Sequence, residues 1–547
     1  MSKIATTFRK RALTALVSSK YVEAESLYRK ILTKIPNDEE AILNLGYALE
    51  AQGKIDEFFS HSMIAWEREP NNIKYIVRLG ASEYALGKFK AAYDRMKELL
   101  RDKNLDYDAA MLLCALASEL ELNEESFNHA LEAVRLNPSS ALAHANLGSS
   151  FLVFNKKQEA RMCLETALML EPKNHAALTN LGVVHAKMGD DEKAICYYEK
   201  ALNIYNERSS SKSAGASRIK FQLGLSQLAV GNLDEGWRNY EEGFNFNGPT
   251  NRRPQRLFNA PRWQGETITG KTLLVWGEQG VGDEIHFYSV IRELQNKGIN
   301  VVVECDYRLV QLIQRSFPFC KVRPASYVPG FAADINDFDY QIPVGTLFGL
   351  YRHNKDSFNI AKPYLVPLQE KVEIYDRRLG PRRGSLRVGI CWRSGLLTAT
   401  RNENYTQLYD WKKILELKNI QLVNLQYGDT ADEVNIAENN FNVSLNTWTD
   451  INRKDQFDDM AALIAALDVV VTIPTAVAHL AGSIGTRVIW MNLNRDVVQF
   501  GSKDTYPNYK NVQVIMPEPG GAVSDLLKVV VPEMLQMMIS RPIECEA

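Results

Sequence analysis

Residues 141–172 read ALAHANLGSSFLVFNKKQEARMCLETALMLEP, and the reading of this stretch decides the first half of the chain. Leu147-Gly148, Ala160, Ala167 and Pro172 form a frame. Displaced forward by 34 residues, the frame returns as Leu181-Gly182, Ala194, Tyr198 and Ala201. Displaced backward, it meets Leu79-Gly80 and Ala92, then Leu45-Gly46, Ala65 and Pro70, then Ala24, Tyr28 and Pro36. Repeat starts near 5, 39, 73, 107, 141 and 175 keep one register without insertion. A further unit fits at 217, with Leu223-Gly224, Gly231 and Tyr240, after the Ser-rich break Ser209–Ser217. Small residues at the eighth and twentieth positions let two helices of a hairpin approach closely, and Pro stops the second helix. One hairpin cannot bury its apolar face alone, so stacked hairpins form a solenoid with a concave surface. The unit at 107 is degraded, with Cys114 in place of the Gly and Ser126 in place of the Ala.

This period and these offsets resemble the tetratricopeptide repeat. The groove of such an array is expected to hold an extended peptide or a protein surface. Asn44, Asn146 and Asn180 recur just before the Leu-Gly pairs. They fit either hydrogen bonds to a peptide backbone or a place on the surface between repeats.

The rest of the composition bounds the answer. The chain of 547 residues is too long for one compact core. With 45% hydrophobic and 24% charged residues it is globular rather than disordered. Lys and Arg total 64 against 66 Asp and Glu, so bulk electrostatic binding to nucleic acid is not expected. No apolar run reaches the roughly 18 residues of a membrane span, and Met1–Lys20 lacks the apolar core of a secretory signal. Seven scattered cysteines without a C-x-x-C pair point to a reducing cytoplasm, not to disulfides or zinc.

From about residue 268 strand and helix alternate. Lys271–Trp276, Asn300–Glu304, Tyr340–Val344, Leu386–Trp392, Gln421–Gln426, Asp468–Ile473 and Arg487–Met491 read as strands. Glu284–Asn296, Arg308–Ser316, Trp411–Leu417, Gln456–Leu467, Thr475–Ile484 and Val523–Ile539 read as helices. This is the order of parallel, helix-covered sheets, and the polar stretch Arg377–Ser385 divides it into two lobes. Two doubly wound lobes place a cleft between the carboxyl ends of their strands, where ligands bind.

The candidate chemistry sits at those ends. In the loop 277–283, Gly280 and Gly282 allow a ligand close to the backbone at a helix start. The spacing is neither a dinucleotide fingerprint nor a Walker loop. Asp283 is either an N-cap or a general base for an acceptor hydroxyl; Glu278, Glu284 and His286 are weaker candidates. Thr475, Ala476, Val477 and His479 open a helix whose free N–H groups suit an anionic diphosphate. In Cys391-Trp392-Arg393-Ser394-Gly395, Arg393 is expected to neutralise a leaving diphosphate. Arg401 follows in a polar loop, and Gln426 and Asp429 end the next strand. Asp337-Phe338-Asp339 is a D-x-D triplet of the kind that binds Mn²⁺ in some transferases, but no cluster has metal-ligand spacing and no metal is expected.

The combination resembles tetratricopeptide proteins with a C-terminal glycosyltransferase domain of the GT-B fold. Gly236-Trp237, Tyr240-Glu241, Ala260-Pro261-Arg262-Trp263, the loop Glu278–Glu284, Cys391–Gly395 and Pro474–Gly482 carry the resemblance. The catalytic half is similar to heptosyltransferases, and the domain plan to O-linked N-acetylglucosamine transferases and bacterial flagellin glycosyltransferases. The resemblance implies Asp283 as base, Arg393 as the basic residue at the leaving group, and Thr475–His479 as the donor-phosphate helix. It implies no cofactor beyond a nucleotide-sugar co-substrate. The chain departs from the pattern at Pro474, where many relatives carry Asp, and in Asn494–Gly501, which lacks an aromatic pattern.

The expected fold is therefore multidomain, an all-α tetratricopeptide solenoid followed by an α/β GT-B fold of two Rossmann-like lobes. Residues 1–208 hold about six repeats, and 209–255 the break, a further repeat and a linker. Residues 256–376 form the acceptor-side lobe, 377–520 the nucleotide-sugar lobe, and 521–547 a helix and tail. The expected function is transfer of a sugar to Ser or Thr of an acceptor protein chosen by the repeats, with flagellin as one candidate. A repeat scaffold with a degenerate transferase domain and a lipopolysaccharide-type transferase are the alternatives. Oligomerisation stays open.

Overall fold

A computed structural model describes residues 3–101, 105–208, 214–246, 252, 256–325, 337–359, 362–395, 402–518 and 521–540. The chain divides into two compact units, Met1–Leu181 and Gly182–Ala547. Helices pair in antiparallel hairpins: α1 (Lys3–Val17) with α2 (Tyr21–Lys34), α3 (Glu39–Ala51) with α4 (Ile55–Arg68), α5 (Ile73–Ala85) with α6 (Phe89–Leu99), α7 (Tyr107–Glu119) with α8 (Asn123–Leu136), and α9 (Ala141–Val153) with α10 (Lys157–Leu170). The frame continues in α11 (His175–Lys187), α12 (Asp191–Arg208), α13 (Ala214–Val230) and α14 (Leu233–Tyr240).

The packing reason for the frame is visible in its glycines. A Cβ on Gly148 would stand 2.7 Å from Leu164 and 3.2 Å from the carbonyl oxygen of Ala160, the twentieth position of the same repeat. In the degraded repeat, the Ser126 hydroxyl donates to the Cys114 carbonyl oxygen at 3.3 Å, so a polar pair fills the same crossing. First helices start at polar caps: Asp38, Asp106 and Ser140 accept from the amides of Ala41, Ala109 and Ala143.

The second unit takes in α12–α14 as well as the two lobes, so its boundary at 181 falls inside the repeat frame. Segment 494–501 explains why. Asn494 Nδ2 donates to the Lys187 carbonyl at 3.0 Å, and the Gly501 amide to that of Ala229 at 3.1 Å. Trp237, on α14, packs on Phe287, Phe348 and Phe500 and donates to the Arg352 carbonyl at 2.9 Å.

The first lobe contains β1 (Thr272–Trp276), α15 (Val281–Phe287), β2 (Asn300–Cys305), α16 (Val310–Ser316), β3 (Cys320–Pro324), β4 (Tyr340–Pro343) and α17 (Val344–Tyr351). Its parallel sheet has the order β3-β2-β1-β4, with Val275 opposite Val303 and Ile342. After α18 (Gln369–Leu379), the second lobe contains β5 (Leu386–Cys391), α19 (Lys412–Leu415), β6 (Ile420–Asn424), α20 (Ala431–Phe441), β7 (Leu445–Asn446), α21 (Phe457–Ala465), β8 (Val469–Thr472), α22 (Ala476–Ile484), β9 (Arg487–Met491), β10 (Thr505–Tyr506) and β11 (Tyr509–Ile515). The order is β10-β11-β9-β8-β5-β6-β7, parallel except for the β10–β11 pair. The chain reverses its direction of travel across the sheet between β1 and β4 in one lobe and between β5 and β8 in the other. Such switch points open crevices at strand carboxyl ends.

Two helices differ from the sequence reading. The helix expected over Glu284–Asn296 begins at Val281 and tightens into a 3-10 helix at Tyr288–Leu294. The helix expected over Val523–Ile539 is broken into α23 (Val523–Leu526) and α24 (Val530–Ser540). Pro532 is the cause, since proline fits a first helical turn and not a helix interior. No helix among the described residues is long and apolar enough to cross a membrane.

Candidate active site

The loops that leave the two switch points meet. Gly277–Gly280 follows β1 and leads into α15; Ile473–Thr475 follows β8 and leads into α22. The first turns of these helices touch: a Cβ on Gly282 would lie 3.3 Å from His479 Cδ2 and 3.5 Å from Ala476 Cα. A side chain at this position would require its neighbours to give by a few tenths of an ångström.

The acids of the first loop sort themselves by burial. Glu278 is 0% exposed and forms an ion pair with Arg252, itself 0% exposed, whose Nε donates at 2.6 Å. The same carboxylate accepts from the Gly345 amide at 2.7 Å, tying the loop after β1 to the first turn of α17. Arg252 also bonds Glu241 at 3.0 Å, and Arg262 bonds Glu241 and Thr346. Glu284 is buried and accepts from the Asp306 amide at 2.8 Å. Asp283 is the exposed acid of the loop, at the third position of α15, where its Oδ2 accepts from the Gly280 amide at 3.1 Å. Asp283 is therefore an N3 residue bonding back to the N-cap amide rather than the N-cap itself, which is Gly280.

His286 lies wholly inside a cage of rings, with Phe348 at 4.9 Å, His479 at 5.5 Å and Tyr509 at 5.7 Å between centroids. Burial drives its pKa well below the usual imidazole value. His479 is partly buried, with Nδ1 3.3 Å from the Tyr509 hydroxyl, and burial lowers its pKa to about 3. Both imidazoles are neutral at pH 7. Phe500, in the segment 494–501, adds a ring to this cage at 6.0 Å from His286.

On the second lobe, Gln426 is a strut. Its Oε1 accepts from the amides of Trp392 and Arg393 at 3.0 and 2.9 Å, fixing the turn after β5. The Tyr427 hydroxyl donates to Ser394 Oγ at 3.0 Å. Arg393 turns toward α20, where Nη2 meets Glu433 at 2.5 Å and the Asp429 carbonyl at 3.2 Å. Thr475 is the N-cap residue of α22, its hydroxyl 3.2 Å from that of Thr472. It does not cap the helix with its side chain, so the amides of Ala476 and Val477 open the first turn without a side-chain acceptor. Arg401 lies outside the described residues.

Beside that turn is a cavity of about 130 Å³ lined by Val281, Ala476 and Val477, by the rings of Tyr427 and Phe457, and by Arg308, Arg453 and Lys454. The structure thus brings Gly280, Gly282, Asp283, Thr475, Ala476, Val477 and His479 together, with Ser394 and Gln426 bracing the adjoining turn. Asn44, Asn146 and Asn180 are in the first unit, half-buried at equivalent positions of α3, α9 and α11. Sequence reasoning missed Arg308, Arg453, Lys454 and Tyr427. A basic pair in a polar loop reads as solvated surface, and nothing local says that β6 and α22 close around it.

The D-x-D carboxylates are engaged at the edge of the first sheet. Asp337 pairs with Arg323 at 2.7 Å, and Asp339 with Lys271 at 3.1 Å. Among the described residues no group of three or more His, Cys, Asp or Glu is placed to hold a metal ion.

Residues 397–514 match the model of glycosyltransferase family 9 (heptosyltransferase), and residues 145–213 match a tetratricopeptide repeat model. The chain thus carries tetratricopeptide repeats followed by a glycosyltransferase family 9 domain. It is similar to protein FlbA of Caulobacter vibrioides, 26% identical over 539 residues that cover 93% of this chain and 86% of that one. Protein O-mannosyl-transferase TMTC3 of Homo sapiens is 24% identical over 191 residues, 34% of this chain and only 21% of that protein. Among solved structures, YrrB, a TPR protein with an unusual peptide-binding site, is 20% identical with a TM-score of 0.27, covering 33% of this chain and 93% of that one.

Proposed function

We propose that the chain is a GT-B, metal-independent glycosyltransferase that moves a sugar from a nucleotide sugar to a Ser or Thr hydroxyl of a protein chosen by the repeats. The observation that carries this reading is the contact of Gly282 with the first turn of α22. In support, the exposed Asp283 follows Gly282 directly in the chain, and Thr475 makes no side-chain cap to the amides that start α22, a setting that suits an anion.

In this reading the acceptor O–H gives its proton to Asp283 as its oxygen bonds to the anomeric carbon. The bond from that carbon to the phosphate oxygen breaks, and its electron pair leaves with the nucleotide. The amides of α22 and the cations of the cavity meet the departing charge, which is why no metal is required. Neutral His479 contributes packing and a hydrogen bond, not a charge. Asn44, Asn146 and Asn180 offer a row of side-chain amides for an extended acceptor segment. A cytoplasmic location fits a nucleotide-sugar donor.

Flagellin is the acceptor to test first. Intact masses of flagellin and other candidate proteins are compared between cells with and without this chain. A loss equal to whole sugar units supports the reading and identifies the sugar. Unchanged protein masses together with an altered saccharide contradict it in favour of a saccharide acceptor.

A further inference from the structure

The cations around the cavity are not equivalent. Arg308 is answered by Asp306 at 2.7 Å, and the nearby Arg393 by Glu433 at 2.5 Å. Arg453 is held differently. Its Nε donates to the Gln426 carbonyl at 2.7 Å and its Nη1 to the Trp448 carbonyl at 3.0 Å. Two carbonyls fix the plane of the guanidinium without neutralising it, and Nη2 donates to neither. Among the described residues no carboxylate forms an ion pair with Arg453, and desolvation lowers its pKa. A cation drawn partly out of water without a counter-ion is costly. Here it lines the same cavity as Ala476 and Val477, whose amides start α22. The peptide of Gln426 that anchors it belongs to the strut that fixes the turn after β5, so its position is set by the second sheet rather than by a loop alone.

We propose that Arg453 binds the phosphate of the nucleotide leaving group, and that Arg393, whose charge Glu433 already meets, does not. The proposal rests on the glycosyltransferase reading. The aromatic walls Tyr427 and Phe457 make the cavity fit the phosphate end of a nucleotide beside a flat, apolar moiety.

The test is calorimetric binding of UDP, ADP, GDP and CMP, and of the corresponding nucleosides, to the full chain. Arg453→Ala lowers affinity for the best-bound nucleotide about 10- to 100-fold, the range of a hydrogen bond to a charged group, and leaves the nucleoside affinity unchanged. Arg393→Ala leaves both unchanged. Should the alanine variant not fold, Arg453→Lys carries the test, since it keeps the charge and loses the fork; nucleotide affinity then falls while nucleoside affinity stays. Undiminished nucleotide binding by the Arg453 variants, or equal loss for nucleotide and nucleoside, overturns the assignment alone. A wild-type chain that binds none of the nucleotides overturns the glycosyltransferase reading and this assignment with it.

Discussion

Gly282 of the first lobe and His479 of the second stand so close that a methyl group on the glycine would sit 3.3 Å from the imidazole Cδ2. Gly282→Ala requires the His479 ring to give by a few tenths of an ångström, and a β-branched residue, with more atoms to place, crowds the start of α22 further. Gly282→Val is expected to lower the transfer rate at least tenfold, because catalytic geometry is sensitive to displacements of about 1 Å. Steady-state transfer assays check this, with thermal unfolding run alongside to show that the variant is folded.

The pair Arg252 and Glu278 is expected to matter for stability. Both residues are 0% exposed, so Glu278→Gln removes the buried carboxylate of the pair and leaves the guanidinium only the partly exposed Glu241 at 3.0 Å. Removing one partner of a buried pair costs about 3–5 kcal/mol. Urea unfolding of the second unit's transition checks the loss; an unchanged midpoint contradicts the structural role assigned to Glu278.

Stability is expected to fall in mild acid. Folded His479 titrates near 3, against the ordinary value of 6.5. Between those values the unfolded chain binds the proton and the folded chain does not, so stability falls as pH drops below about 6.5, by up to about 1.4 kcal/mol per pH unit for such a group. His286 acts in the same direction. Melting curves from pH 7 to pH 5 show a falling Tm, with a shallower fall in His479→Asn.

Trp237 bridges both lobes from α14, against Phe287 and Phe348 on one side and Phe500 on the other. Trp237→Ala is expected to cost about 3–5 kcal/mol, as for other buried aromatic truncations. Calorimetric unfolding of the full chain measures it.

The repeat frame was legible because packing at Gly148 and Ala160 is local and the small pair recurs, as Gly80 with Ala92 and Gly182 with Ala194, while Phe58 and the Cys114–Ser126 pair depart from it. The parallel sheets were legible as apolar runs such as Val301–Val303. The short strands β7 and β10 were not, since two residues carry no period. The site was half legible. Asp283 and α22 announce themselves through glycine and the Pro-Thr helix start. Arg453 does not, because its meaning comes from the carbonyls of Gln426 and Trp448, which the fold brings to it. Arg393 illustrates the reverse: the sequence aims it at the cleft, while Glu433, forty residues on, takes up its charge.

The most direct measurement restores the deleted chain in cells as wild type or as Asp283→Asn and reads the intact mass of the acceptor protein. Asn keeps an oxygen for the Gly280 amide and removes the base. The account predicts that wild type restores the sugar mass and Asp283→Asn does not, although the variant chain is present and binds nucleotide. Full restoration by Asp283→Asn would contradict it.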